Sequence, residues 1–278
     1  MAEPRILLSG IVFGESPRWH AGRLWFSDWG AGEVVNVDLA GRRELVVRIP
    51  SFPFSLDWLP DGRLLIVSSG LQRMESDGSL VTQADLAPLA AAWNELVVDG
   101  RGNAYVNQAG FDLMAGAEPT SGTIALVTPD GAAREVVDGV WFPNGMAITA
   151  TGSTLIVAES YRNRLTAFDI DRDGGLSNRR IWADLGAGVP DGICLDAEGA
   201  IWYADVPNRH CVRVREGGDV LETITVDRGC FSCALGGTER RTLFIAATQW
   251  RGPEHMFQGE PTGQILTVEV SVPHAGYP

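Results

Sequence analysis

The chain has 278 residues, 45% of them hydrophobic and 21% charged, with a formal net charge of −13. That is the composition of a globular protein with ample core material, and its acidity argues against a nucleic-acid partner, whose binding rests on neutralising phosphates. All 22 basic residues are Arg, so Schiff-base lysine chemistry and the P-loop lysine are excluded.

The first residues, 1–9, lack a basic stretch followed by a long apolar one, so no secretory signal is expected. No run approaches the ~18 apolar residues of a membrane span, and no membrane partner is expected. Four cysteines occur, Cys194, Cys211, Cys230 and Cys233. Cys230-Phe231-Ser232-Cys233 has the spacing of a redox motif but lies in a strand-rich context. All four are expected to be reduced, in a cytoplasmic protein.

In chain order, strand signals dominate. A turn at His20-Ala21-Gly22 precedes a β-rich run at 24–27, and Pro60-Asp61-Gly62 precedes one at 64–67. Gly100-Arg101-Gly102 leads into 104–107, Ala150-Thr151-Gly152 into 154–158, and Ala197-Glu198-Gly199 into 201–204. A less regular turn over 236–240 leads into 243–246. The one helix-like piece, 83–92, is rich in Ala and Leu but contains Pro88, so it predicts at most a turn or broken helix. The turn glycines stand about 40 to 50 residues apart, the spacing of propeller blades. The expected fold is all-β: a single six-bladed β-propeller with four-stranded blades over residues 1–278. Strand signals at 6–8 and 264–270 predict that the two ends of the chain complete one blade, which removes an exposed edge.

Seven or eight residues before the turn glycines, four of the repeats carry Glu15, Asn94, Asn144 and Asp191. Taken singly, Pro143-Asn144-Gly145 and Pro190-Asp191-Gly192 are ordinary turn sequences. Their shared phase is the informative feature, because ring repeats bring equivalent positions to one axis. Two buried carboxylates there would repel and lose solvation without a cation. Carboxylate and amide oxygens suit a hard ion, so Glu15, Asn144 and Asp191 are candidate ligands of one divalent cation, with Asn94 beside them. Ca²⁺ is the leading ion, with Mg²⁺, Mn²⁺ or Zn²⁺ as further candidates; no His or Cys stands at this phase, unlike a structural zinc site. Phe54-Ser55 and Phe231-Ser232 fall near the same phase and are expected to line the pocket.

Several motifs together resemble the gluconolactonase, senescence-marker-protein (regucalcin) and luciferin-regenerating-enzyme family over nearly the whole chain. They are Gly14-Glu15-Ser16-Pro17, Asn144-Gly145, Pro190-Asp191-Gly192 with Cys194 and 196–199, 177–180, and the stretch from Ser232-Cys233 to Gly236-Gly237. The resemblance implies a six-bladed propeller with a divalent cation near its axis, held by Glu15, Asn144 and Asp191, and Asn94 near water or substrate. Regucalcin-like sugar lactonases have an Arg two residues before the position of Asn94; this chain has Ala92 there, followed by Trp93. Trp93, Phe54 and Trp141 are therefore expected, with Asn94, to contact substrate, and Phe52, Phe142 and Trp250 to face the mouth.

The implied activity is hydrolysis of a lactone, a sugar lactone or a more apolar one, by metal-activated water, with Asp191 as general base. Hydrolysis of another ester or a phosphotriester at the same site, or cation binding without turnover, are the alternative readings. The four histidines, His20, His210, His255 and His274, fall at turns, loops or the tail, and no Gly-x-Ser-x-Gly elbow is present, which disfavours a serine nucleophile.

Overall fold

Each repeat closes into a four-stranded antiparallel sheet, and six such sheets make up the structure, a computed structural model that describes residues 3–276. The innermost strands of blades one to six are Gly14–His20, Ser55–Trp58, Leu96–Val98, Pro143–Ile148, Pro190–Leu195 and Gly229–Gly236. They start at one end of the ring, here called the mouth, and run toward the other. Tight turns at the far end reverse the chain, several of them pinned by an aspartate that accepts N–H groups two and four residues on. Asp99 Oδ1 accepts from Arg101 and Asn103 N–H at 2.8 and 2.9 Å, and Asp196 Oδ1 from Glu198 and Ala200 N–H at 2.9 and 3.0 Å.

A lone blade cannot bury both faces; a ring of six can. Six apolar layers result, one between each pair of adjacent blades. Strands inside the blades accordingly read as unbroken buried runs, such as Leu64–Val67 and Ile201–Asp205, while outer strands such as Arg43–Arg48 are largely exposed. The 83–92 stretch forms no helix: the strand Leu80–Ala84 gives way to a turn in which the Leu89 and Ala90 N–H groups donate to the Leu86 carbonyl.

The ring is closed as the sequence predicts. The first strand, Arg5–Ile11, is the fourth strand of blade six and pairs antiparallel with Gly263–Glu269, with Ile6 opposite Leu266 and Leu8 opposite Ile265. Ile11 is fully buried in the layer between blades six and one. Deleting residues 1–10 exposes the edge of Gly263–Glu269 and opens that layer. The expected result is a melting temperature lower by about 10 °C or more, measured by calorimetry against the full chain; an unchanged value would refute the role of the strand in closure.

Candidate metal and active site

The mouth ends of the inner strands are bent by the same device in four blades. Pairing with the second strand is interrupted between Glu15 and Arg18, Pro143 and Met146, Pro190 and Ile193, and Cys230 and Ser232. Such bulges turn side chains out of the pleat, and here they release Glu15, Asn144 and Asp191 from the blade layers toward the axis. The backbone beside them is held in an uncommon region, with Ser16 and Phe142 both at φ 50°, a conformation that costs energy for a side-chain-bearing residue. Close approach requires the glycines that follow. A Cβ on Gly145 would collide with the backbone of Asp191 and Ile193, and one on Gly192 with Ser232.

The approach to three of these bulges is anchored by the polar residue ending a second strand. Asp28 accepts the Phe13 N–H at 3.0 Å, Glu159 the Trp141 N–H at 2.9 Å and Asp205 the Val189 N–H at 2.9 Å. Glu159 and Asp205 are thus caps of the blade ends. Ser160 Oγ donates to the Pro190 carbonyl at 2.6 Å and faces the Asn144 amide nitrogen at 3.3 Å. That orients the Asn144 oxygen toward Asn94, whose Nδ2 donates to it at 3.2 Å and to the Pro143 carbonyl at 3.4 Å.

Glu15 is 4% exposed and carries one hydrogen bond, from the neighbouring Ser16 N–H at 3.3 Å. Its carboxyl is pushed well above the usual range by burial first, then by the charges of Asp191 and Glu95. Asp191 is likewise pushed up, by burial, then by Glu95 and Asp205. Two carboxylates that fold into one another's field with so few donors around them are poised for a cation. The donor set of two carboxylates and two amides fits a hard divalent ion. Among the described residues, no three His, Cys, Asp or Glu side chains gather into a metal-binding group; the amide oxygens of Asn144 and Asn94 have to complete the set.

A third carboxylate lies under this cluster and was not singled out in the sequence. Glu95 is 3% exposed; it accepts Ser16 Oγ at 2.8 Å and Ser55 Oγ at 3.2 Å, and pairs with Arg18 at 3.6 Å. Arg18 also donates to the Leu96 carbonyl at 2.9 Å. Asn107 ties this layer to the next blade, donating to the Asn144 carbonyl at 2.8 Å and accepting the Glu95 N–H at 3.3 Å. Deeper still, fully buried Asp57 accepts the Val98 and Trp58 N–H groups, both at 2.8 Å. The signal available for Glu95 was its place directly after Asn94, matching Ser16 after Glu15.

Other expected contacts fall elsewhere. Phe54 is fully buried between blades one and two, and Trp93 is 1% exposed between blades two and three. Each sits beside an inward residue in an extended segment, so its side chain turns into the blade layer; both are packing residues rather than walls of the mouth. Trp141 is partly exposed, with the Arg162 guanidinium 4.1 Å over its ring. Asp196 of the 196–199 motif is structural: besides capping its turn it accepts Arg213 Nε at 2.6 Å. The four cysteines are free and buried, with Cys194 and Cys233 Sγ atoms 3.8 Å apart.

A six-bladed propeller with carboxylates and amides converging at one mouth defines a recognisable class. Residues 13–249 match the sequence model of the SMP-30/Gluconolactonase/LRE-like region, and the chain belongs to that family. A 6-deoxy-6-sulfogluconolactonase of Pseudomonas putida is 22% identical over 275 residues, 96% of this chain and 94% of the relative. A pentonolactonase of Haloferax volcanii is 24% identical, covering 95% and 91%, and a regucalcin of Xenopus laevis is 25% identical, covering 84% and 82%. Among solved structures, a luciferin-regenerating enzyme matches with a TM-score of 0.84 at 17% identity, covering 99% of this chain and 97% of the other. A calcium-binding regucalcin from Agrobacterium tumefaciens matches with the same TM-score at 22% identity, covering 100% and 97%. At these identities the structural likeness shows the fold. Among the described residues, no helix is long and apolar enough to cross a membrane.

Burial raises the Asp57 carboxyl to about 6, against the opposing pull of Arg18 and the two N–H donors. The folded state therefore holds a proton more tightly than the unfolded chain between about pH 4 and pH 6, and stability falls as pH rises through that window, by on the order of 3 kcal/mol. Asp57→Asn removes this titration. In urea melts at pH 4 and pH 7, the stability of the variant relative to wild type should shift in its favour by about that amount; a pH-independent difference would refute the assignment.

Proposed function

We propose that the protein is a divalent-metal-dependent hydrolase that opens a lactone at the axial site. The observation that carries this is the pair Glu15 and Asp191, brought together from blades one and five, Glu15 buried and Asp191 partly so, short of donors and flanked by the amides of Asn144 and Asn94. Family membership supports the substrate class, since relatives over nearly the full length are named for lactone hydrolysis.

Glu15, Asn144 and Asp191 would hold the ion, with Asn94 beside it. A divalent cation in that position supplies Lewis-acid polarisation of a carbonyl and acidifies a water. The chain's own residues do the rest. Asp191 is the more exposed of the two carboxylates and so the one that can reach a water in the mouth; it takes the proton as the water oxygen adds to the carbonyl carbon. That proton then goes to the ring oxygen as the acyl–oxygen bond breaks, giving the hydroxy acid. Asn94, held beside Asn144 by its amide hydrogen bond, is placed to orient the substrate carbonyl or the water. Glu95 is held away from this chemistry by Ser16, Ser55 and Arg18.

A second reading, cation binding without turnover, has one observation behind it: a regucalcin of the same fold is described as a calcium-binding protein. Two measurements separate the readings. With Ca²⁺ or Mn²⁺ added to chelator-treated protein, the melting temperature should rise by several degrees or more, and this rise should vanish in Glu15→Gln. In Asp191→Asn the cation-dependent rise should persist in part, while kcat on a lactone falls by about 100-fold or more. Unimpaired turnover in Asp191→Asn would refute its role as base; melting insensitive to cations would refute the metal site.

A further inference from the structure

The mouth is built from a ring of apolar positions. Two residues before the axial position of each blade stand Phe13, Pro53, Ala92, Phe142, Val189 and Cys230. Propeller symmetry puts these near the lip around Glu15, Asn144 and Asp191; Phe13 is buried and Cys230 lies in the layer between blades five and six, and none of the six offers a side-chain hydrogen-bond donor to a sugar hydroxyl beyond a weak thiol.

Aromatic side chains extend this lip on both sides. Phe13 stacks on Trp29 at 5.6 Å and meets Trp250 and Phe257 edge-on at 6.4 and 5.9 Å. Phe52 continues the group, 5.1 Å from Trp29 and 5.0 Å from Phe257. Trp250, at 39% exposure, presents its ring at the surface of this wall. Across the axis, Phe142 stacks on Tyr161 at 4.6 Å with Phe111 5.5 Å away, and Tyr161 is 41% exposed. The walls come from the two long mouth-side connections, 109–121 and 249–262, and from the approaches to the inner strands.

Several polar side chains at this end are already used. Gln108 donates to Thr123 Oγ1 at 3.0 Å and accepts the Gly110 N–H at 2.6 Å. Asn163 donates to the Gly188 carbonyl at 2.8 Å, Asn208 to Asp205 at 3.0 Å, and Arg164 to Glu159 at 2.8 Å. A polyol entering this mouth would lose water from each hydroxyl and find few free partners, whereas a hydrocarbon substituent would leave water for aromatic surface.

We infer that the preferred substrates are lactones bearing an apolar alkyl or aryl substituent, rather than polyhydroxylated aldonolactones. The inference rests on the lactonase reading above and adds the substituent. The substituent lies between the Trp250 and Phe142 walls while the ring carbonyl faces Asn94 and Asp191.

The test uses the full-length protein with Ca²⁺, and three probes: δ-decalactone, the unsubstituted δ-valerolactone, and glucono-δ-lactone. The expected kcat/KM for δ-decalactone exceeds that for glucono-δ-lactone by about tenfold or more. In Trp250→Ala, and separately in Phe142→Ala, the ratio of kcat/KM for δ-decalactone to that for δ-valerolactone should fall about fivefold to tenfold, mostly through KM. Trp250 lies in an exposed connection, so its variant remains folded even where Phe142→Ala is not. Faster turnover of glucono-δ-lactone, or a ratio unchanged in Trp250→Ala, overturns the inference and leaves the lactonase reading standing. If no lactone is hydrolysed, calorimetric titration of the three lactones decides: saturable binding of δ-decalactone alone upholds the apolar site while sinking lactonase activity, and binding of none overturns both.

Discussion

Repulsion between buried carboxylates is the constraint around which this structure is arranged. Like charges taken out of water repel strongly, and the axis gathers three acidic side chains, Glu15, Glu95 and Asp191. Only one has a local answer. Glu95 is paired with Arg18 and bonded by Ser16 and Ser55. Glu15 and Asp191 are left with their own neighbouring backbone for company, and their charge matches that of one divalent ion. The division is physically sensible: the buried Arg neutralises the carboxylate that is to stay passive, and the open pair keeps its charge for a ligand.

Holding that pair together requires a ring that does not open. Antiparallel pairing of Arg5–Ile11 with Gly263–Glu269 ties the ends of the chain into one blade, and six apolar layers carry the load between blades. The bulges then convert a stiff scaffold into a directed site. Without them, the residues at the strand starts would follow the pleat into the blade interfaces, which is the fate of Phe54 and Trp93. Gly145 and Gly192 let blades four, five and six approach within contact of one another just where Asn144 and Asp191 emerge.

Much of this was legible in the chain because repetition is a one-dimensional signal. The turn glycines and the strand runs after them fixed the number of blades, and a common phase picked out Glu15, Asn94, Asn144 and Asp191 without any knowledge of distance. What stayed hidden depends on cross-blade contacts. The Ser16–Glu95 bond spans 79 residues and the Asp57–Val98 bond 41, and neither Arg18 nor Asp57 occurs at a recurring position. Phe54 and Trp93 were misassigned because phase gives proximity to the axis but not the direction of a side chain on a pleated strand. The inner strands also begin earlier than their apolar runs suggested: Pro143–Ile148 includes Pro-Asn-Gly, a turn sequence drawn into the sheet edge by a bulge.

Ring and mouth answer to different demands, and the family comparison fits that separation. Relatives that are 22% and 24% identical match nearly end to end, as expected if blade layers and closure constrain pattern and volume more than identity. Glu15 and Asp191 are aimed by the bulges beside them and by close-set glycines, so a change there alters the charge gathered at the mouth. The mouth connections 109–121 and 249–262 bear neither load. They can lengthen, shorten or change residue type at little cost to the ring, and in this chain they contribute Phe111, Trp250 and Phe257 to the aromatic groups at the mouth. A propeller of this kind can therefore keep its axial carboxylates and amides while changing what its mouth admits, because the two belong to different parts of the blade.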